Sequence, residues 1–183
     1  MEELYPVRNE KTAVPDGPDV GPAPALDRER CFAMLDAAKV PEQVKAHCRA
    51  VAAEALRIAD ALPIALDRQL IEYAALLHDI SRLQPKHPQT GAAWLRALGY
   101  GRVADIVQLH HDHDGKRLDE AAVLFIADKC VRETERVPLE TRFAASARRC
   151  MNDAAKAAFD RRYAAAMELK EKINGLCQKT VVL

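Results

Sequence analysis

Apolar residues along this chain recur every three or four positions and nowhere alternate convincingly at period two, which predicts helices and no strands. Val44, Cys48, Val51, Ala55, Ile58, Ala59 and Leu62 form one such stripe. It predicts a helix from Pro41, where a missing N–H does no harm, to about Ala61, before Pro63. Ile71, Ala74 or Ala75, and His78 form the next stripe, with Asp67 as N-cap. Further helices are expected from Asp27, with Cys31, Met34 and Leu35 inward, from Thr90 to Leu98 before Gly99, and from Arg102 to His110. Others should run from Leu118 to about Glu133, from Glu140 to Cys150, and from Asp153 to Asn174, closed by Gly175. Pro85 and Pro88 confine Lys86 and His87 to a loop or a helix entrance. The first two dozen residues hold Pro15, Gly17, Pro18, Gly21, Pro22 and Pro24 with little to bury, so residues 1–25 read as a flexible tail or linker and 26–183 as one domain. The expected fold class is all-α, a bundle of seven or eight helices.

Four of these stripes carry a polar residue where an apolar one belongs. His78 continues the stripe of Ile71 and Ala74, and Asp79 follows it inward. His47 sits within the stripe of Val44 and Val51, His110 follows Val103, Ile106 and Val107, and Asp128 follows Ala121, Leu124 and Phe125. A single buried histidine is usually satisfied by a backbone carbonyl, and a buried aspartate is uncommon without a partner. Four such residues on four helices point instead to a metal centre built between helices, because a cation offsets the desolvation of imidazole and carboxylate together. All six histidines fall between positions 47 and 113. His113 reads as a loop residue, and His87, on no stripe, is as well explained by an exposed loop.

Lysine plus arginine and aspartate plus glutamate balance at 27 each, so no global field draws nucleic acid or an anionic membrane, and an anionic substrate must be held locally. A 49% hydrophobic content over 183 residues allows one domain with a sizeable core. The five cysteines, Cys31, Cys48, Cys130, Cys150 and Cys177, are odd in number and scattered. They read as free thiols in a reducing compartment. With no signal-peptide pattern and no apolar run near the ~20 residues of a membrane span, the protein is expected to be cytoplasmic.

The order His47, His78-Asp79, Asp128 resembles the H…HD…D signature of the HD-domain superfamily of metal-dependent phosphohydrolases, from about Leu26 to Arg142. Leu76-Leu-His-Asp-Ile-Ser-Arg82, His87-Pro-Gln-Thr-Gly-Ala-Ala93 and Ala127-Asp128-Lys129 are similar to the binuclear bacterial subgroups, among them hydrolases of diadenosine tetraphosphate. The run His110-His111-Asp112 is similar to paired histidines of other HD hydrolases. Val137-Pro-Leu-Glu-Thr-Arg-Phe143 looks like HD domains beside nucleotidyltransferases, which makes such an enzyme a candidate partner.

The resemblance implies one or two divalent ions held by His47, His78, Asp79, His87, His110 and Asp128, with Asp79 bridging or ligating them and His111 as a further candidate ligand. Iron is the first choice, with Mn, Zn, Ni or Co as alternatives, since imidazole and carboxylate without thiolate suit all of these. The function expected is hydrolysis of a phosphoester or phosphoanhydride, in a nucleotide, by metal-activated hydroxide. Asp79, Arg82 and Lys129 are the catalytic candidates, the two cations as receivers of phosphate; Lys86 is a weaker one, and each cation could equally be a solvated surface charge. A di-iron oxygenase and a non-catalytic metal-binding regulatory module are the alternatives.

Overall fold

The computed structural model describes residues 23–147 and 152–177. In chain order the helices are α1 (Arg28–Ala37), α2 (Glu42–Ala61), α3 (Arg68–Leu77), α4 (His87–Ala97), α5 (Gly101–Leu109), α6 (Glu120–Lys129), α7 (Leu139–Ala147) and α8 (Asp153–Leu176). Strands β1 (Val131–Arg132) and β2 (Glu135–Arg136) lie between α6 and α7. The all-α expectation holds, with eight helices among the described residues. Helix starts follow local chemistry: the Asp27, Asp67 and Asp119 side chains accept from the N–H groups of Arg30, Leu70 and Ala122 and satisfy donors the first turn leaves free.

α3 lies at the centre, packed against α1, α2, α5 and α6, while α4 pairs with α5. Ile58, Ile71, Leu76, Leu77, Leu95, Leu124, Phe125 and Ile126 are fully buried where these faces meet. Each such side chain contributes about 1.5–3 kcal/mol by leaving water. Every residue of α6 from Ala121 to Asp128 is buried, so Asp128 is carried into the core by a helix with no wet face there.

Four elements differ from expectation. Strands were not expected, yet Val131 pairs with Arg136 and Arg132 with Glu135 in a short antiparallel hairpin. It replaces the last turn predicted for α6, which stops at Lys129. Cys130 caps the helix, the Val137 N–H returns to the Cys130 carbonyl at 2.8 Å, and Glu133 turns the chain at φ 57°. Nothing in the apolar pattern marks that turn, because a non-glycine residue holds the left-handed conformation. α4 begins at His87, earlier than Thr90, because left-handed Lys86 sets the entrance and Pro88 fits the first turn. α8 continues through Gly175 to Leu176, where Gly175 meets no crowding and has no left-handed φ. Most of the 1–25 tail and the Cys150 helix end lie outside the described residues.

Two sets of contacts, one built on a buried carboxylate and one more exposed, brace the segments that carry the polar cluster. The buried Glu54 carboxylate of α2 accepts from Arg57 at 2.7 and 2.8 Å and from Arg136 at 3.2 Å, fastening the hairpin to α2. On the other side, α8 holds the loop after His110. Arg162 pairs with Asp112 at 2.7 and 3.1 Å, and Lys172 donates to the Gly115 and Lys116 carbonyls at 2.7 and 2.8 Å. Gly115 is required there: its φ is 78°, and a Cβ would lie 2.9 Å from the Ala165 backbone.

Candidate metal centre

The polar residues expected on four separate helices converge. His47 comes from the second turn of α2, His78 and Asp79 from just past the end of α3, His87 from the start of α4, His110 and His111 from just past the end of α5, and Asp128 from the last turn of α6. Their side-chain nitrogens and oxygens form two groups, His47–His78–Asp128 and His87–His110–His111, each with candidate ligand atoms within 4.8 Å of one another. Asp79 stands between them. Its Oδ2 is 3.6 Å from His78 Nε2, and its Oδ1 is 3.2 Å from His87 Nε2 and 3.8 Å from His110 Nε2.

Backbone carbonyls fix which nitrogen of three imidazoles faces this space. A carbonyl only accepts, so Nδ1–H of His78 donates to Ala75 O at 2.8 Å, that of His110 to Val107 O at 2.6 Å, and that of His47 to Glu133 O at 2.8 Å. The ordinary account of a buried histidine is therefore half right: one nitrogen is satisfied, and the other points inward. His78 Nε2, His110 Nε2 and Asp79 Oδ1 are buried and have no hydrogen-bond partner. Leaving a buried polar atom unpaired costs about 1–3 kcal/mol, and three such atoms facing one another are what a cation would satisfy. Second-contact carbonyls on Nδ1 are the usual way a metal-binding imidazole is oriented.

Electrostatics agree with the geometry. Burial works to raise the Asp79 and Asp128 carboxyls, but His78, His87 and Arg82 around the first, and Lys129, His47 and His78 around the second, hold both below the usual carboxylate range. Burial, with neighbouring His78 and His111, pushes His110 well down, and burial with Lys129 pushes His111 down to about 3. Both therefore offer lone pairs at neutral pH. His47 goes the other way: burial pushes it down, but the bond to Asp128 at 3.2 Å, the Asp128 charge, the Glu133 carbonyl and the Asp79 charge together raise it. Cys48, packed beside Asp79, is pushed up by burial and by the Asp79 charge, so it stays a thiol. The donor set is then imidazole and carboxylate alone, which fits Fe, Mn, Co, Ni or Zn.

Residues 44–133 match the family model of the HD domain. That match places an HD domain at residues 44–133. Neither the comparison with curated proteins nor that with solved structures gives a match. The matched span runs from α2 to the hairpin turn and includes all seven candidate ligands. HD domains belong to a metal-dependent phosphohydrolase type of family, and the two groups of side chains suit divalent-metal binding.

The remaining candidates lie around this HD centre. The Arg82 guanidinium is 3.3 Å from His87 Nε2 and 3.7 Å from Asp79 Oδ1, and it is about half exposed. The Lys129 ammonium donates to Asp128 Oδ2 at 2.7 Å and to the His110 carbonyl at 3.1 Å, and it rests on the Phe125 ring. It is thus engaged by the ligands themselves. Lys86 contributes through its backbone, as the left-handed residue before His87. His113 is buried away from the centre, accepting from Gly115 N–H and facing Asp119 at 3.5 Å. A cleft of about 760 Å³ opens onto the centre, with His47, Asp79, His111 and Asp128 in its lining. Two parts of that cleft were not expected from sequence: the hairpin turn at Glu133 and Thr134, and Arg142 of α7. Neither had a signal in the apolar pattern. No described helix is long and apolar enough to cross a membrane.

Proposed function

We propose that this centre holds two divalent ions bridged by Asp79, and that the protein is a phosphohydrolase acting on a phosphoester or phosphoanhydride of a nucleotide. Three inward buried atoms without partners, His78 Nε2, His110 Nε2 and Asp79 Oδ1, carry the proposal. His47, His78 and Asp128 would hold one ion and His87, His110 and His111 the other, with the Asp79 carboxylate, which lies between the two groups, shared by both. Such ions, when bound, polarise a phosphoryl oxygen and lower the pKa of a water toward about 7.

The chain's own residues supply position and charge. The Ala75, Val107 and Glu133 carbonyls keep three imidazoles in the tautomer that presents Nε2 inward. Lys129 holds Asp128 and the His110 backbone in register, so its role is to position ligands. Arg82, beside Asp79 and open to solvent, is placed to receive a phosphoryl oxygen once His87 Nε2 is committed to an ion. The resemblance to diadenosine tetraphosphate hydrolases belongs to the same proposal; a nucleotidyltransferase partner stays outside it.

Metal analysis of the purified protein with a hydrolysis panel of phosphomonoesters, phosphodiesters, nucleotides and dinucleoside polyphosphates tests the assignment. Two ions per chain and turnover of at least one phosphate substrate are expected. A full complement of metal with no turnover on the panel would refute it. Oxygen uptake by the ferrous protein would identify an oxygenase instead.

A further inference from the structure

The lining of the cleft extends beyond the ligands and includes a cation that the HD match does not cover. Arg142 lies on α7, nine residues past the end of that match, in the same lining as His47, Asp79, His111 and Asp128. Its Nε is buried and has no hydrogen-bond partner among the described residues, and no ion pair to it is found there. A guanidinium stays charged at any working pH and has five N–H donors, so one that lines a cleft with its Nε–H buried and unmatched calls for an acceptor. The other cations near the centre differ. Lys129 is committed to Asp128 and to the His110 carbonyl, and Arg82 is beside Asp79 and His87. The one carboxylate in the lining that is not a candidate ligand belongs to Glu133, which is exposed. A volume of about 760 Å³ is far more than a single phosphoryl group occupies and is of the size that takes a whole small molecule.

We infer that Arg142 is a specificity-determining residue that receives a second phosphate, so that the substrate carries at least two linked phosphates and the cleft discriminates against phosphomonoesters. This rests on the phosphohydrolase assignment above. One phosphoryl group lies at the metal centre with Arg82, and the next is held across the cleft by the Arg142 fork, which matches phosphate oxygens in geometry as well as charge.

The test compares methylenediphosphonate, a non-hydrolysable diphosphate, with inorganic phosphate by calorimetry on the full chain at saturating Mn²⁺. The parent should prefer the diphosphonate. Arg142→Met, which keeps the aliphatic stem, should weaken diphosphonate binding roughly 10- to 100-fold while leaving phosphate affinity, metal content and helical content unchanged. Arg142→Lys should recover part of the loss, since it restores charge without the fork. Equal weakening of both ligands, or of neither, would overturn the assignment of Arg142. Failure of the metal-loaded parent to bind either ligand would instead overturn the phosphohydrolase reading, and the Arg142 assignment with it.

Discussion

Replacing Lys129 by Met separates a positioning role from a substrate-binding one. Lys129 and Asp128 form a buried pair, with side chains 12% and 8% exposed and 2.7 Å between Nζ and Oδ2. Removing one partner of such a pair typically costs about 3–5 kcal/mol, because the other charge stays buried. His47 still contacts the opposite oxygen at 3.2 Å, so the lower end, about 3 kcal/mol, is expected. For a chain of this length that corresponds to a fall in Tm of roughly 6–12 °C. The pH follows from Asp128, whose carboxyl lies below its unfolded value despite burial, through Lys129 first and then His47 and His78. A depressed carboxyl contributes stability that is present above the unfolded pKa, near 3.8, and is lost as pH falls through the folded value. At pH 7 the whole effect should therefore be visible. Urea unfolding of the chelator-treated protein gives the stability, and metal titration gives the affinity. Both should fall, while KM for a phosphate substrate at saturating metal should change little. A loss under 1 kcal/mol with a large rise in KM would refute the positioning role and make Lys129 a phosphate ligand.

Further outcomes follow from the two groups of ligands. Asp79→Ala should remove metal and activity together with little change in helical circular dichroism, whereas His87→Ala or His110→Ala should lose one of two ions and most hydrolysis; elemental analysis showing full metal in all three variants would count against the bridged pair. Glu133→Val should strain the left-handed turn by about 1–2 kcal/mol, loosen His47 and weaken the first ion, while Glu133→Gly should be tolerated. Equal metal affinities in these two variants would dissociate the turn from the site. Loading of the His47 group should tighten as pH rises through the raised His47 pKa, because that imidazole must release a proton, while His110 and His111 release none near pH 7. A pH-independent titration accompanied by no proton release would contradict this.

The apolar period was enough to determine the fold class and to mark His47, His78, His110 and Asp128 as inward-facing, because 3.6-residue periodicity assigns each side chain to a face. The capping aspartates and the prolines placed most helix starts for equally local reasons. His87 and His111 had no such stripe; His111 follows His110 directly in the chain, and only the packing of α4 against α5 brings His87 beside them. What else the tertiary structure decided shares one physical cause: the partner is a backbone group, a left-handed non-glycine residue, or a residue distant in sequence. The Glu133 carbonyl on His47, 86 residues away, leaves no trace in side-chain pattern. Lys129 reads as a free surface cation until Asp128 and the turn at His110 are seen to enclose it. Arg142 becomes part of the site only because the hairpin, fastened to α2 through Arg136 and Glu54, returns the chain so that α7 walls the cleft. Periodicity tells each helix which face to bury, but the crossing of helices determines which buried faces meet.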